Sequence, residues 1–116
     1  MSAATGDERV PEDVFLALAD PIRRQILATL VREGGATPTS LAAALPVTRQ
    51  AVAKHLAVLD RAGLVLGRRA GREVRYEAQL RPLRQATRWL DGLAAQWERR
   101  LGAIKDLAEQ EDRPGA

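Results

Sequence analysis

No cysteine occurs in the 116 residues, which removes disulfides, thiolate metal ligands and thiol redox sensing together. The chain has one histidine, His55, so neither a soft-metal site within one chain nor any other cofactor is expected. Aromatic residues are scarce, with one Phe, one Tyr and two Trp. A core must therefore be built from Leu, Val, Ile and Ala, which favours closely packed helices. No run approaches the ~18 apolar residues of a membrane span. The opening "MSAATGDERVPEDV" is polar and acidic, unlike a signal peptide, so a cytoplasmic location is expected. There is no internal repeat and no low-complexity linker.

The length suits one domain, since domains typically take about 100 to 150 residues. Few large apolar groups occur in residues 1–10 or 110–116, which are expected to be flexible tails around a domain at 11–109. Net charge is only +3, but it is unevenly spread. Residues 1–20 carry −4, residues 21–80 carry +6 and residues 81–116 carry +1. A basic middle segment points to a polyanionic partner.

"PEDVFLALAD" begins with Pro11 and two acids, a favourable first turn, and places Val14, Phe15 and Leu18 on one face. Asp20-Pro21 then supplies an N-cap and a proline where the missing N–H is not needed. Ile22, Ile26, Leu27 and Leu30 form the stripe of this second helix, Gly34-Gly35 its stop, and Arg23, Arg24 and Gln25 lie outside the stripe. Thr37-Pro38 caps a short third helix with Leu41 and Leu45 inward, ended by Pro46. Thr48 caps a fourth, in which Val52, Leu56 and Leu59 face the core and Gly63 follows the end.

After Gly63 the period changes. Leu64, Leu66, Val74 and Tyr76 recur at two-residue spacing around Ala70-Gly71, which predicts a β-hairpin with a charged tip. Pro82 opens a last helix to about Glu109, roughly 40 Å long at 1.5 Å per residue. Its residues Leu83, Ala86, Leu90, Leu93, Trp97, Leu101, Ile104 and Ala108 recur at three and four, a heptad-like stripe with more to bury than one subunit offers.

The expectation is a mainly α fold with a small β-hairpin: four helices, two strands and a long helix, the order of a winged helix-turn-helix. Such a motif fits its second helix into the major groove of duplex DNA. The first turn of that helix offers Thr48, Arg49 and Gln50, then Ala53, Lys54 and His55. Arginine can donate twice to guanine, glutamine can pair with adenine, lysine can neutralise phosphate, and Ala53 keeps the face low. Arg68, Arg69, Arg72 and Arg75 surround Gly71 and are positioned for flanking backbone or the minor groove.

Taken singly, each of these features describes an ordinary solvated face. Cap, turn, amphipathic helix, glycine stop and arginine-tipped hairpin in this order favour duplex DNA binding instead. No nucleophile or second acid–base group accompanies His55, so it reads as a supporting residue or phosphate contact, and no enzymatic activity is expected. An alternative makes the long helix of a non-DNA-binding chain a protein-interaction module, against which the arginines of the hairpin argue. Trp89 and Trp97 read as packing residues, though they also leave room for a small-molecule effector.

The segments "ALADPIRRQILATL", "SLAAALPVTRQAVAKHLAVLDRAGLV" and "GRRAGREVRYEAQLRPLRQATRWL" resemble the ArsR-type winged-helix repressors, over about Val14 to Leu107. The resemblance implies a homodimer built from the first and last helices, on a pseudo-palindromic operator, repressing its own or a neighbouring operon. The dimer contact would then use Val14, Phe15, Leu18, Leu83, Leu90, Leu93, Trp97, Leu101 and Ile104. Metal-sensing members of the family use a cysteine pair in the third helix or histidines and carboxylates in the last. "SLAAALPV" has no cysteine and the last helix no histidine, so metal sensing is not carried over.

Overall fold

The computed structural model describes residues 10–112. It contains, in chain order, α1 (Glu12–Leu18), α2 (Pro21–Glu33), α3 (Pro38–Ala44), α4 (Arg49–Arg61), β1 (Val65–Ala70), β2 (Glu73–Ala78) and α5 (Leu80–Asp112). The expected tails at 1–10 and 110–116 fall largely outside the described residues, and α5 continues to Asp112. The chain divides into two compact units. Val10–Ala86 is one, and Thr87–Ala116 belongs to the other, within which residues 87–112 are described as helix.

The starts of α2, α3 and α4 each have a side-chain cap. The Asp20 carboxylate accepts from the Ile22 N–H at 2.7 Å and the Arg23 N–H at 3.1 Å, satisfying two donors that α2 leaves free. Thr37 and Ser40 form a reciprocal capping box at α3. Thr48 accepts from the Ala51 N–H at 3.1 Å to start α4. Between α3 and α4, Leu45 is extended, at φ −120° and ψ 154°. That is the conformation a residue before proline prefers, so the turn of the helix-turn-helix accommodates Pro46 without a left-handed residue.

The core gathers Ile26 and Leu30 of α2, Leu41 of α3, Val52, Leu56 and Leu59 of α4, and Leu64, each at most 1 % exposed. Val14, Ala17, Leu27, Ala36, Val65 and Ala86 complete it. Val14, expected at a subunit contact, is thus enclosed by its own chain at 4 % exposure. Helix α1 is short and turns its Val14 and Ala17 face inward, leaving Phe15 and Leu18 half-buried against the core.

The hairpin pairs Val65 with Ala78 through Ala70 with Glu73. Gly71 and Arg72 make the two-residue turn, with Gly71 at φ 66°, the backbone a primed hairpin turn requires at its first position. The inward phase differs from the expected one. Leu64 is buried before the strand begins, Val65 faces in, and Leu66 faces out at 41 % exposure, because pairing starts one residue later than the alternation of leucines suggests. A further bridge ties Tyr76 to Ala36, N–H to carbonyl in both directions, at 2.8 and 3.0 Å. The segment between α2 and α3 thereby borders the hairpin as a minimal third strand.

Helix α5 begins at Leu80, which places Pro82 in the first turn, where its missing N–H leaves no bond unmade. Its 33 residues span about 50 Å. Ala86 is buried and Leu83 half-buried, whereas Leu90, Leu93, Trp97, Leu101 and Ile104 are 46 to 58 % exposed. Their steps, continued to Ala108, run three, four, four, three, four. With Leu83 and Ala86 before them, heptad spacing holds up to Trp97 and again from Leu101, and the extra step of four between the two is a stutter that locally unwinds a left-handed supercoil.

Gly67 lies beneath the Val74 and Tyr76 side chains, so a Cβ there would sit 2.9 Å from Val74 Cγ1 and 3.1 Å from Tyr76 Cε1. Gly67→Val is expected to destabilise the fold by about 1 to 3 kcal/mol through overpacking, measured by urea denaturation. An unchanged midpoint would show that the hairpin absorbs the branch.

Candidate nucleic-acid interface

The inner face of α4 is closed by Val52, Leu56 and Leu59, and this fixes what its outer face displays. Arg49, Gln50, Ala53 and Lys54 are all exposed. The first turn of α4 holds no acid, and among the described residues neither Arg49 nor Lys54 takes part in an ion pair. Thr48 is exposed as well; its oxygen is engaged in the cap, which leaves its hydroxyl hydrogen to donate. Five of the six residues singled out on this helix therefore share one solvent-facing surface.

His55 does not join them. It is half-buried, and its Nδ1 lies 3.5 Å from the Arg23 Nη1 of α2. Arg23 is also held by α1: its Nε donates to the Ala17 carbonyl at 2.6 Å and its Nη2 to the Leu16 carbonyl at 3.1 Å. Asp20 Oδ2 lies 3.8 Å from Nη1. Arg24 adds a bond to the Leu18 carbonyl at 2.7 Å. The two arginines thus donate to the C-terminal carbonyls of α1, where Leu16 also accepts from the Ala19 N–H. Sequence reading noted both only as lying outside the apolar stripe. Their signal was position: long cationic side chains one turn after a cap, a few residues beyond the end of a short helix.

The hairpin distributes its arginines over two faces. Arg68 and Arg75 are direct cross-strand partners, while Arg69 pairs with Val74 across the other face and Arg72 occupies the turn. All four are exposed. Directly opposed like charges are unfavourable in a sheet, and two contacts separate this pair. Arg68 Nε lies 3.4 Å from Glu77 Oε1, and the Arg75 guanidinium lies over Gly35, close enough that a Cβ there would meet its Nε at 2.9 Å. Arg69 and Arg72 have no ion pair among the described residues. Of the four cations around Gly71, Arg69 and Arg72 therefore lie towards the tip and Arg68 and Arg75 farther back along the ribbon.

Among the described residues, no three His, Asp or Glu side chains gather as metal ligands, and no helix is long and apolar enough to cross a membrane. Residues 18–68 match a helix-turn-helix domain family. The chain is 48 % identical over 60 residues to the HTH-type transcriptional regulator CmtR of Mycobacterium tuberculosis, which covers 52 % of this chain and 50 % of that protein. It therefore spans about half the length of the first curated relatives it matches. Similarity to the HTH-type transcriptional regulator Rv2034 of the same organism is broader, with 40 % identity over 103 residues, 89 % of this chain and 92 % of that one. An ArsR-like transcriptional regulator from Rhodococcus sp. RHA1 superposes with a TM-score of 0.76 at 42 % identity, over 92 % of this chain and 97 % of that one. The chain belongs to the ArsR family of winged helix-turn-helix regulators. Its relatives in this family are named as transcriptional regulators.

In this ArsR-family chain the cap of α2 is also its pH-sensitive point. The Arg23 backbone N–H holds the Asp20 carboxyl below its ordinary value; desolvation, next in size, opposes it, and the Ile22 N–H and the His55 and Arg23 side chains add to the lowering. A carboxylate favoured in the folded state contributes stability above its unfolded pKa, and that contribution is lost as pH falls through the depressed folded value. Asp20→Asn keeps a capping oxygen without the charge. It is expected to fold at neutral pH and to show a shallower loss of stability below about pH 4, measured by thermal melts across pH. Parallel acid profiles for the two proteins would rule Asp20 out as the source.

Proposed function

We propose that the protein is a homodimeric repressor that reads a pseudo-palindromic operator with α4 in the major groove. The observation that carries this reading is the division of α4. Its inner face is fully buried, and its outer first turn presents Thr48, Arg49, Gln50, Ala53 and Lys54 to solvent with no acid among them. Arg49 and Gln50 have the donor and acceptor patterns that read base edges, and Lys54 suits a phosphate. The wing adds Arg69 and Arg72 as primary backbone contacts, with Arg68 and Arg75 behind them. For Arg68, an exposed ion pair with Glu77 is a weak competitor for phosphate.

The exposed stripe Leu90, Leu93, Trp97, Leu101 and Ile104 supports a second copy of the chain as partner, and Phe15, Leu18 and Leu83 are further candidates for the dimer contact. A two-fold dimer places two α4 helices on half-sites about one helical turn, or a multiple of it, apart. Val14 takes no part, being enclosed in its own core.

Footprinting across the protein's native locus, followed by gel-shift titration against scrambled duplex at physiological salt, tests the reading. A protected site without dyad symmetry would count against it. Arg49→Ala is expected to weaken operator binding by about 1 to 3 kcal/mol and relax preference at one base position. Arg72→Ala is expected to weaken all duplexes alike and lower the salt slope by about 0.9. Equal losses on operator and random DNA for Arg49→Ala would remove it from the base-reading set. Trp97→Asp places a charge in the middle of the stripe and is expected to yield monomers in sedimentation analysis, with operator affinity reduced more than folding stability. Dimers that survive this change would shift the contact elsewhere.

A further inference from the structure

Arg23 stands where three helices meet, and all three of its guanidinium nitrogens are engaged. Nε and Nη2 hold the Ala17 and Leu16 carbonyls at the end of α1, while Nη1 faces Asp20 Oδ2 at the start of α2 and His55 Nδ1 on α4. The side chain is 17 % exposed, so this is a built contact rather than a solvated arginine resting on a surface. A guanidinium has only donors. In the neutral imidazole, the 3.5 Å contact is a hydrogen bond when Nδ1 accepts and the ring proton sits on Nε2.

We infer that Arg23 is a positioning residue for DNA reading, fixing the seating of α4 against α1 through His55. His55 directly follows Lys54 and precedes the buried Leu56, where α4 passes from its DNA-facing to its core-facing side. Apolar packing at Val52, Leu56 and Leu59 is non-directional and holds α4 close without fixing its roll about its own axis. A directed bond at the edge of the helix resists that roll, and a roll would displace Arg49 and Gln50 relative to base edges. The same guanidinium grips the end of α1, so a shift of α1 relative to α2 reaches the reading face through one side chain. This role rests on the assignment of α4 as the reading helix.

The test uses full-length, tag-free protein, in which His55 is the one imidazole and its nitrogen resonances need no further assignment. Arg23→Gln and His55→Ala are each expected to lower the ratio of operator to scrambled-duplex affinity by about tenfold, the scale of one hydrogen bond to a charged group. The double variant is expected to lose no more than either single one. His55→Asn restores an accepting oxygen near the Nδ1 position and is expected to recover most of the ratio. In the wild-type protein the imidazole is expected to show a protonated Nε2 and an accepting Nδ1, a preference that Arg23→Gln removes. A purely structural role would lower the folded fraction and reduce both affinities in step. An unchanged ratio, additive losses or an unaltered imidazole signature would each overturn the assignment. Arg49→Ala separates the two levels of failure. A ratio that falls in Arg49→Ala but not in Arg23→Gln removes the positioning role alone, and one that falls in neither removes the α4 reading as well.

Discussion

The burial of Val52, Leu56 and Leu59 is the constraint from which the working surface follows. Each is at most 1 % exposed, and full burial of such side chains stabilises by about 1.5 to 3 kcal/mol apiece relative to exposure. Because a helix turns 100° per residue, committing those three positions to the core commits Arg49, Gln50, Ala53 and Lys54 to solvent. The proposed reading face therefore needs no dedicated scaffold: it is what remains of α4 once its apolar side is placed. The core around it is built from aliphatic side chains, in keeping with a chain that has almost no aromatics.

The hairpin meets a different problem, that of holding several like charges on two short strands. It divides them between faces, opposes one with Glu77 and lays another across Gly35. What remains at the tip is a pair of arginines at the two-residue Gly71-Arg72 turn, suited to a backbone whose charge is regular and whose sequence is irrelevant to it. The base of the ribbon is held by the double bond between Ala36 and Tyr76, so the wing is anchored to the start of the helix-turn-helix itself.

Most of the fold was legible because its signals are local. Asp20-Pro21, Thr37-Pro38 and Thr48 are chemical start signals, and the spacing of Val52, Leu56 and Leu59 leaves little choice of face. The winged helix-turn-helix followed from the order of these elements, and the family from the segments that resemble it. The phase of β1 was not legible, since Leu64 and Leu66 alternate convincingly yet the strand begins at Val65, and only pairing decides which side faces in. The same holds for Val14: a short amphipathic helix does not announce whether its stripe meets its own core or another subunit. Arg23 was missed for a related reason. Its partners are carbonyls of one helix and a ring on another, and no periodicity within a sequence encodes a bond that spans three helices.

The turn between α3 and α4 has a mechanical consequence. With Leu45 extended and followed by proline, the junction has little torsional freedom, since the ring fixes one angle and restricts its neighbour. Glycine at such a place makes a hinge; proline makes a weld. The two helices of the motif then move as one body, and any adjustment of the reading face to its target falls on the seams where that body meets α1 and α2.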